Sequence, residues 1–230
     1  MEGIGDIIRR AGELVGYAVC HRLLSSSPLF GDNQFMLCSR CAGTYLGALS
    51  SYIYIFIKFR GGQTKLPDLK YSIFIIIFIA SIFIDVGGTL LGIIPDIAQI
   101  RTLTGALAGS SIVLLAYSLL TPIEREKDAP PVIERWGELT IILSVSVIIA
   151  LLVNSGYSFL YMPLTILATL GVLAIFFNTF YLITITISEP ETKSRRIIAY
   201  LISISLMIVF LTLLWHSHSW MDGFLKGLKH

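Results

Sequence analysis

Charged side chains are scarce in this chain. Asp, Glu, Lys and Arg make up 14% of its 230 residues, hydrophobic residues make up 55%, and the mean hydropathy is +0.79. Soluble domains carry about 25% charged residues, so this composition excludes an ordinary soluble domain and predicts a protein that crosses the lipid bilayer several times. The net charge is only +2, and no basic stripe with interleaved aromatic residues occurs, so we expect no nucleic-acid partner.

Cysteine is rarer still, and none occurs after position 41. All three cysteines lie within 22 residues that also contain a histidine beside the first cysteine. Thiolate and imidazole groups suit zinc or another thiophilic ion, and a two-residue spacer lets both sulfurs of a Cys-x-x-Cys pair reach one ion. We therefore expect a metal site, with zinc as the first candidate, whose ligands are Cys20, His21, Cys38 and Cys41.

Two other interpretations of the cysteines stay open. Adjacent side chains on a regular helix point about 100° apart, so one member of the Cys20-His21 pair can serve another purpose. Cys38 and Cys41 can cycle between dithiol and disulfide, with the amides of a helix start and Arg40 lowering the thiol pKa. Buried cysteines can also be inert small hydrophobic residues.

Hydrophobic runs predict an all-α fold with about six membrane spans. Residues 4–24 precede these spans and read as an amphipathic helix near the membrane surface, because Arg9, Arg10 and Glu13 interrupt the segment. Residues 25–33 read as a loop. The third span is rich in Gly, Ala and Ser, which lets it pack closely against a neighbouring helix. The expected spans are residues 35–57, 71–94, 102–120, 139–153, 163–187 and 197–215.

The span order suggests a division of the chain and an orientation. Residues 1–120 would hold the motif, residues 121–138 a charged link, and residues 139–230 the last three spans with a C-terminal tail. Ten Lys and Arg residues fall in links one, three and five, and seven fall on the opposite face. The positive-inside rule then predicts that both termini and the cysteine motif face outward from the cell membrane.

Asp85 is the only charge in the second expected span. A carboxylate inside a membrane usually faces protein or a water-filled cavity, which makes Asp85 a functional candidate. It falls toward the membrane face that also holds the start of the first span and Arg101, at the start of the third. Asp85 can act as general base or orient a metal ligand, while Arg22, Arg40 and Arg101 hold a phosphate or carboxylate. A simpler role is a salt bridge between Asp85 and either arginine.

These residues together resemble the signature of an uncharacterised prokaryotic membrane family, domain of unknown function 2085. The resemblance runs from about Tyr17 to Gly109. Met36 stands where the family usually has proline, and Val86 where glycine is common. No reaction is established for that family, so the resemblance implies a shared site without naming its chemistry. The matching residues are Cys20, His21, Arg22, Gly31, Gln34, Cys38, Arg40, Cys41, Gly43, Gly47, Asp85, Arg101, Thr104, Gly105 and Gly109.

His216 and His218 follow the last expected span and should emerge on the face that carries the cysteine motif. They can add imidazole ligands or a proton shuttle, but Trp215 and Trp220 beside them are also typical of an interfacial aromatic belt.

Three functions fit the sequence. The first is a metal-dependent enzyme that acts on a lipid-like or phosphate-bearing substrate. The second is a non-enzymatic protein in which the metal staples the N-terminal helix across the first span, because four protein ligands describe a closed structural site better than a catalytic one. The third is a thiol oxidoreductase that uses a quinone or a partner protein. Whether the protein is an enzyme stays open at this point.

Overall fold

The computed structural model describes residues 4–20, 26–60, 64–119, 130–188 and 193–227. Within these residues the chain forms seven α-helices, so the all-α fold class is confirmed. The helices are α1 (Ile4–Val19), α2 (Ser39–Phe59), α3 (Leu69–Leu90), α4 (Ala98–Leu119), α5 (Trp136–Val153), α6 (Tyr161–Ser188) and α7 (Lys193–Gly227).

Five of the described helices, α3 to α7, are long and apolar enough to cross a membrane. The sequence predicted six spans, and α2 is the helix that does not meet this measure. Its 21 residues would reach about 31 Å, but they include Arg40, Lys58 and several Ser and Tyr residues. No residue from Ser39 to Tyr52 is exposed, because α4, α5 and α6 pack around α2. A helix enclosed by other helices does not need an apolar surface toward lipid.

Helices α2 and α4 form the most extensive helix pair in the described residues. Gly43 and Gly47 lie one turn apart on α2, and Gly105 and Gly109 lie one turn apart on α4. A Cβ atom at any of the four would overlap a backbone carbonyl of the opposite helix. This arrangement of small residues is how membrane helices approach closely, so the close packing expected for the third span is confirmed.

The segment before α2 is more ordered than the loop expected at residues 25–33. Two short antiparallel strands, β1 (Leu29–Phe30) and β2 (Asn33–Gln34), are joined through Gly31, whose φ of 61° favours glycine. Phe30 and Phe35 are fully buried and pack against Tyr161 at the start of α6. The hairpin therefore fixes the entry of the chain into α2.

The opposite end of the bundle joins links one and three, as expected from their common face. The Lys65 N–H donates to Pro130 O at 3.1 Å, and Val132 N–H donates to Lys65 O at 3.0 Å. Lys58 Nζ lies 2.7 Å from Glu138 Oε1. Val132 and Ile133 are fully buried, so this part of link three belongs to the core.

Helix α1 is not among the candidate spans. It is 16 residues long, strongly amphipathic, and packs against α6 and α7. Helix α7 is longer than its expected span, with 35 residues, and its C-terminal part runs past α1. The Tyr17 ring contacts Trp215 and His218, with ring centroids 6.3 and 5.8 Å apart. The end of α1 and the C-terminal part of α7 therefore meet at one level of the bundle.

Candidate metal centre

The three cysteines meet although they come from two separate segments. Their Sγ atoms all lie within 4.8 Å of one another. Cys20 follows α1, and its N–H donates to Gly16 O at 2.9 Å. Cys38 is the N-cap residue of α2, and Cys41 lies in the first turn of that helix. All three are free thiols, and Cys20 is buried.

A hydrogen bond joins two of these cysteines across the two segments. The Cys38 N–H points at Cys20 Sγ, 3.3 Å away, so the end of α1 and the start of α2 are linked through a cysteine. A tetrahedral zinc ion with bonds of about 2.3 Å keeps its sulfurs about 3.8 Å apart. Side-chain rotation can close the remaining distance, so the arrangement fits a thiophilic ion.

The groups around Cys38, which precedes α2, raise the pKa of its thiol. The side-chain hydrogen bond with Cys20 is the largest cause that raises the pKa of Cys38, and burial raises it further, while the hydrogen bonds with Cys41 oppose both. Arg40, which sequence reasoning placed as a cation that lowers the thiol pKa, is paired with Asp85 instead. A bound metal ion would have to displace the protons.

A cavity of about 440 Å³ adjoins the thiols. Its wall combines a few polar groups with apolar side chains from α1, α6 and α7. Tyr45, one turn after Cys41 on α2, also faces it. The lining residues are Ala18, Val19, Cys20, Ser26, Cys38, Cys41, Tyr45, Phe176, Phe210, Leu214 and His218.

His216 and His218 lie in different surroundings. His218 lines the cavity, and its Nδ1 lies 2.7 Å from Tyr17 O. A carbonyl oxygen only accepts, so Nδ1–H is the donor of this hydrogen bond. His218 is nevertheless not within the cluster of ligand atoms that the cysteines form in the described residues. His216 is exposed, and its ring lies tilted against that of Trp215, with centroids 5.2 Å apart. His21, the expected fourth ligand, lies outside the described residues, as does Arg22.

Asp85, Arg40 and Arg101 do not line the cavity, and the structure does not bring all three together. Arg40 Nε lies 2.8 Å and Arg40 Nη2 2.6 Å from the same oxygen, Asp85 Oδ2. Asp85 is 3% exposed, and the pair joins α2 to α3. Arg101 Nη1 lies 2.7 Å from Asp96 Oδ1 instead. The expected set therefore divides in three: thiols that face the cavity, the ion pair of Arg40 with the buried Asp85 between α2 and α3, and Arg101 paired with Asp96.

Sequence reasoning missed the apolar side of the cavity. Phe176, Phe210 and Leu214 lie more than 130 positions after the cysteines, in runs where every neighbour is also apolar. No local signal marks them. Tyr45 did carry one, because a residue four positions after Cys41 shares its helix face.

Comparison with known proteins places the chain among membrane proteins. Residues 20–115 match the family described as predicted membrane protein (DUF2085). An uncharacterized protein of Methanocaldococcus jannaschii is 34% identical over 98 residues, which are 41% of this chain and 59% of that protein. An uncharacterized protein of Methanothermobacter thermautotrophicus is 30% identical over 104 residues, 44% of this chain and 86% of that protein.

The matches cover the motif half of the chain, and the chain spans less than two thirds of the first of these relatives. No solved structure gives a significant match. The matched range, residues 20–115, contains all three cysteines, Asp85 and the glycines at the contact between α2 and α4. On this evidence the chain belongs to the membrane protein family known as domain of unknown function 2085.

Proposed function

We propose that this protein holds a thiophilic metal ion, zinc in the first place, on Cys20, Cys38 and Cys41. The observation that carries the proposal is the mutual approach of three thiols to within 4.8 Å at the junction of α1 and α2. Inert packing does not require three sulfurs to converge, whereas a metal does. His21 as a further ligand stays a prediction.

A metal at this point would tie the N-terminal helix to the bundle. Cys20 follows α1, which packs on α6 and α7, and the other two thiols belong to the start of α2. Because metal-binding free energy becomes folding free energy when the site exists only in the folded chain, the ion would stabilise this junction. This supports the stapling function among the three that the sequence allowed.

Catalytic roles for Asp85, Arg40 and Arg101 stay predictions, as does a lipid-like or phosphate-bearing substrate. The contacts favour a positioning role. Asp85 is buried against Arg40, and neither residue lines the cavity beside the thiols. A general base would have to reach a substrate in that cavity.

The redox alternative loses one of its two electrostatic supports, Arg40, while the amides at the start of α2 remain. It requires an activated thiolate at Cys38 or Cys41, and Arg40 faces Asp85. A cysteine whose neighbours favour the neutral thiol is a poor nucleophile but still becomes a thiolate when it binds a metal.

Elemental analysis and a thiol count on one sample of purified full-length protein test the proposal. We expect about one equivalent of zinc, lost in Cys38→Ser and in Cys41→Ser. Tyr45→Phe is the matched control, since Tyr45 faces the same cavity but offers no thiolate. A reversible disulfide between Cys38 and Cys41 in metal-free protein would replace the metal function with the redox one.

We also infer that the metal centre faces away from the cytoplasm. The excess of Lys and Arg in links one, three and five supports this orientation. The contact between α1 and the end of α7 supports an even number of crossings. A reporter enzyme that is active only outside the cytoplasm, fused after residue 230, should be active. Activity of a cytoplasm-dependent reporter at that position would reverse the orientation.

A further inference from the structure

We infer that the cavity beside the thiols is a binding site for a small amphipathic ligand. The ligand's neutral nitrogen or sulfur donor would take the fourth position of the metal ion, and its apolar part would lie against Phe176, Phe210 and Leu214. This inference rests on the proposed metal function and deepens it, because it turns a structural staple into an open site with a defined class of ligand.

This inference gives the fourth position of the ion, for which His21 stays a predicted ligand, to such a donor instead. The described residues bring three thiols together, and zinc is almost always four-coordinate in proteins. Sites with three protein ligands keep the fourth for water or another small molecule. All three cysteines line the cavity, so an ion held by them lies at its wall.

Among the residues that the structure describes, the charges favour a neutral donor over an anion. Three thiolates already exceed the two positive charges of a zinc ion by one. Arg40, next to Cys41 in the chain, cannot offset this excess because Asp85 neutralises it at 2.6 Å. An additional anion between apolar walls would be costly, whereas an imidazole, amine or thioether adds no charge.

The opposite wall selects an apolar body. Phe176 of α6 and Phe210 of α7 face each other with ring centroids 5.6 Å apart, and Leu214 lies one turn after Phe210. A volume of about 440 Å³ falls in the range of about 300–1,000 Å³ for small-molecule sites, which are mostly apolar with few polar groups. Leu213, the adjacent residue on α7, is 63% exposed and points away.

Cobalt-loaded full-length protein in detergent tests the inference, because the visible spectrum of cobalt reports a change of its fourth ligand. The probes are 1-methylimidazole and 1-hexylimidazole, which share one donor and differ only in apolar length. We expect both to change the spectrum, and the hexyl compound to bind at least tenfold more tightly, since its chain leaves water for the cavity.

Two tryptophan substitutions provide a matched pair. Leu214→Trp fills the cavity and should weaken binding of the hexyl probe at least tenfold, while binding of the methyl probe stays within about twofold. Leu213→Trp adds the same side chain to the outer face and should change neither. Retained thiolate-to-cobalt absorption in both variants shows that the fold and the metal site survive.

The outcomes separate the two proposals. Failure to retain cobalt or zinc refutes the metal function itself. A metal-loaded protein whose spectrum ignores both probes until His21→Ala or His218→Ala is introduced has a fourth position filled by that histidine, and only the open-site inference is lost. Equal affinity for the two probes, or equal damage from both tryptophans, refutes the apolar wall.

Discussion

The two sides of α2 differ in packing: one is in close contact with a neighbouring helix, and the other lines a cavity. Toward α4, glycines bring backbone against backbone and leave no space, and Arg40 closes the end of this side with a buried ion pair. Toward α1, α6 and α7, the same helix presents two thiols and a tyrosine to a cavity. The side toward α4, here called the closed side, fixes the position of α2. The side toward the cavity, here called the open side, depends on that fixed position, because three sulfurs must keep their mutual distances to bind one ion. Packing and chemistry are thus divided between two faces of one helix.

Filling the closed side should have the largest effect. Gly105→Leu would push a side chain into the Arg40 carbonyl on α2, and because backbone cannot yield as a side chain can, we expect no folded protein on size-exclusion chromatography in detergent. Gly87→Leu, in the neighbouring helix α3, is the control, since nothing lies within 4 Å of a Cβ there. Normal folding of Gly105→Leu would show that the contact between α2 and α4 is not tight.

Breaking the buried ion pair should come next. Arg40→Met leaves the Asp85 carboxylate buried without its partner, at a cost of about 3–5 kcal/mol in the free energy of unfolding. The double variant Arg40→Met/Asp85→Leu should recover most of this loss, measured by thermal unfolding in detergent. The double variant should also keep its zinc, because the pair does not line the cavity. Loss of zinc in a stable double variant would move the pair into the metal site.

Removing the proposed metal should affect the open side alone. After chelation we expect amide hydrogen exchange in α1 and in the hairpin at residues 29–34 to rise at least about tenfold, since the proposed ion would no longer tie Cys20 to α2. Exchange in α4 should stay unchanged, because glycine packing holds it. A uniform rise through all helices would mean that the two sides of α2 are not independent.

Breaking the contact between α1 and the C-terminal part of α7 should have the smallest effect. His218→Ala removes the hydrogen bond to Tyr17 O and a ring contact, worth together about 1–2 kcal/mol of unfolding free energy. His216→Ala, two positions away and exposed, should leave the melting temperature unchanged. Equal shifts in the two variants would show that α1 does not depend on this hydrogen bond.

Composition and periodicity predicted the helices, the amphipathic α1 and the close packing of α4 because these depend on local chemistry. The partner of Asp85 could not be chosen from the sequence: Arg40 and Arg101 were both available, and the rotation of α2 decides between them. The hairpin was missed because Ser, Pro and Gly mark a turn but do not reveal that Phe30 and Phe35 on either side are buried. The cavity wall required the positions of α6 and α7, which only the folded bundle defines.

The meeting of Tyr17 with His218 also sets an order of assembly. The ribosome makes the thiols early, yet 201 positions separate the Tyr17 carbonyl from the imidazole that joins it. During most of synthesis the nascent chain would contain the three cysteines but not α7, which forms part of the cavity wall. The proposed metal ion would therefore reach the cysteines of the nascent chain most easily before α7 enters the bilayer.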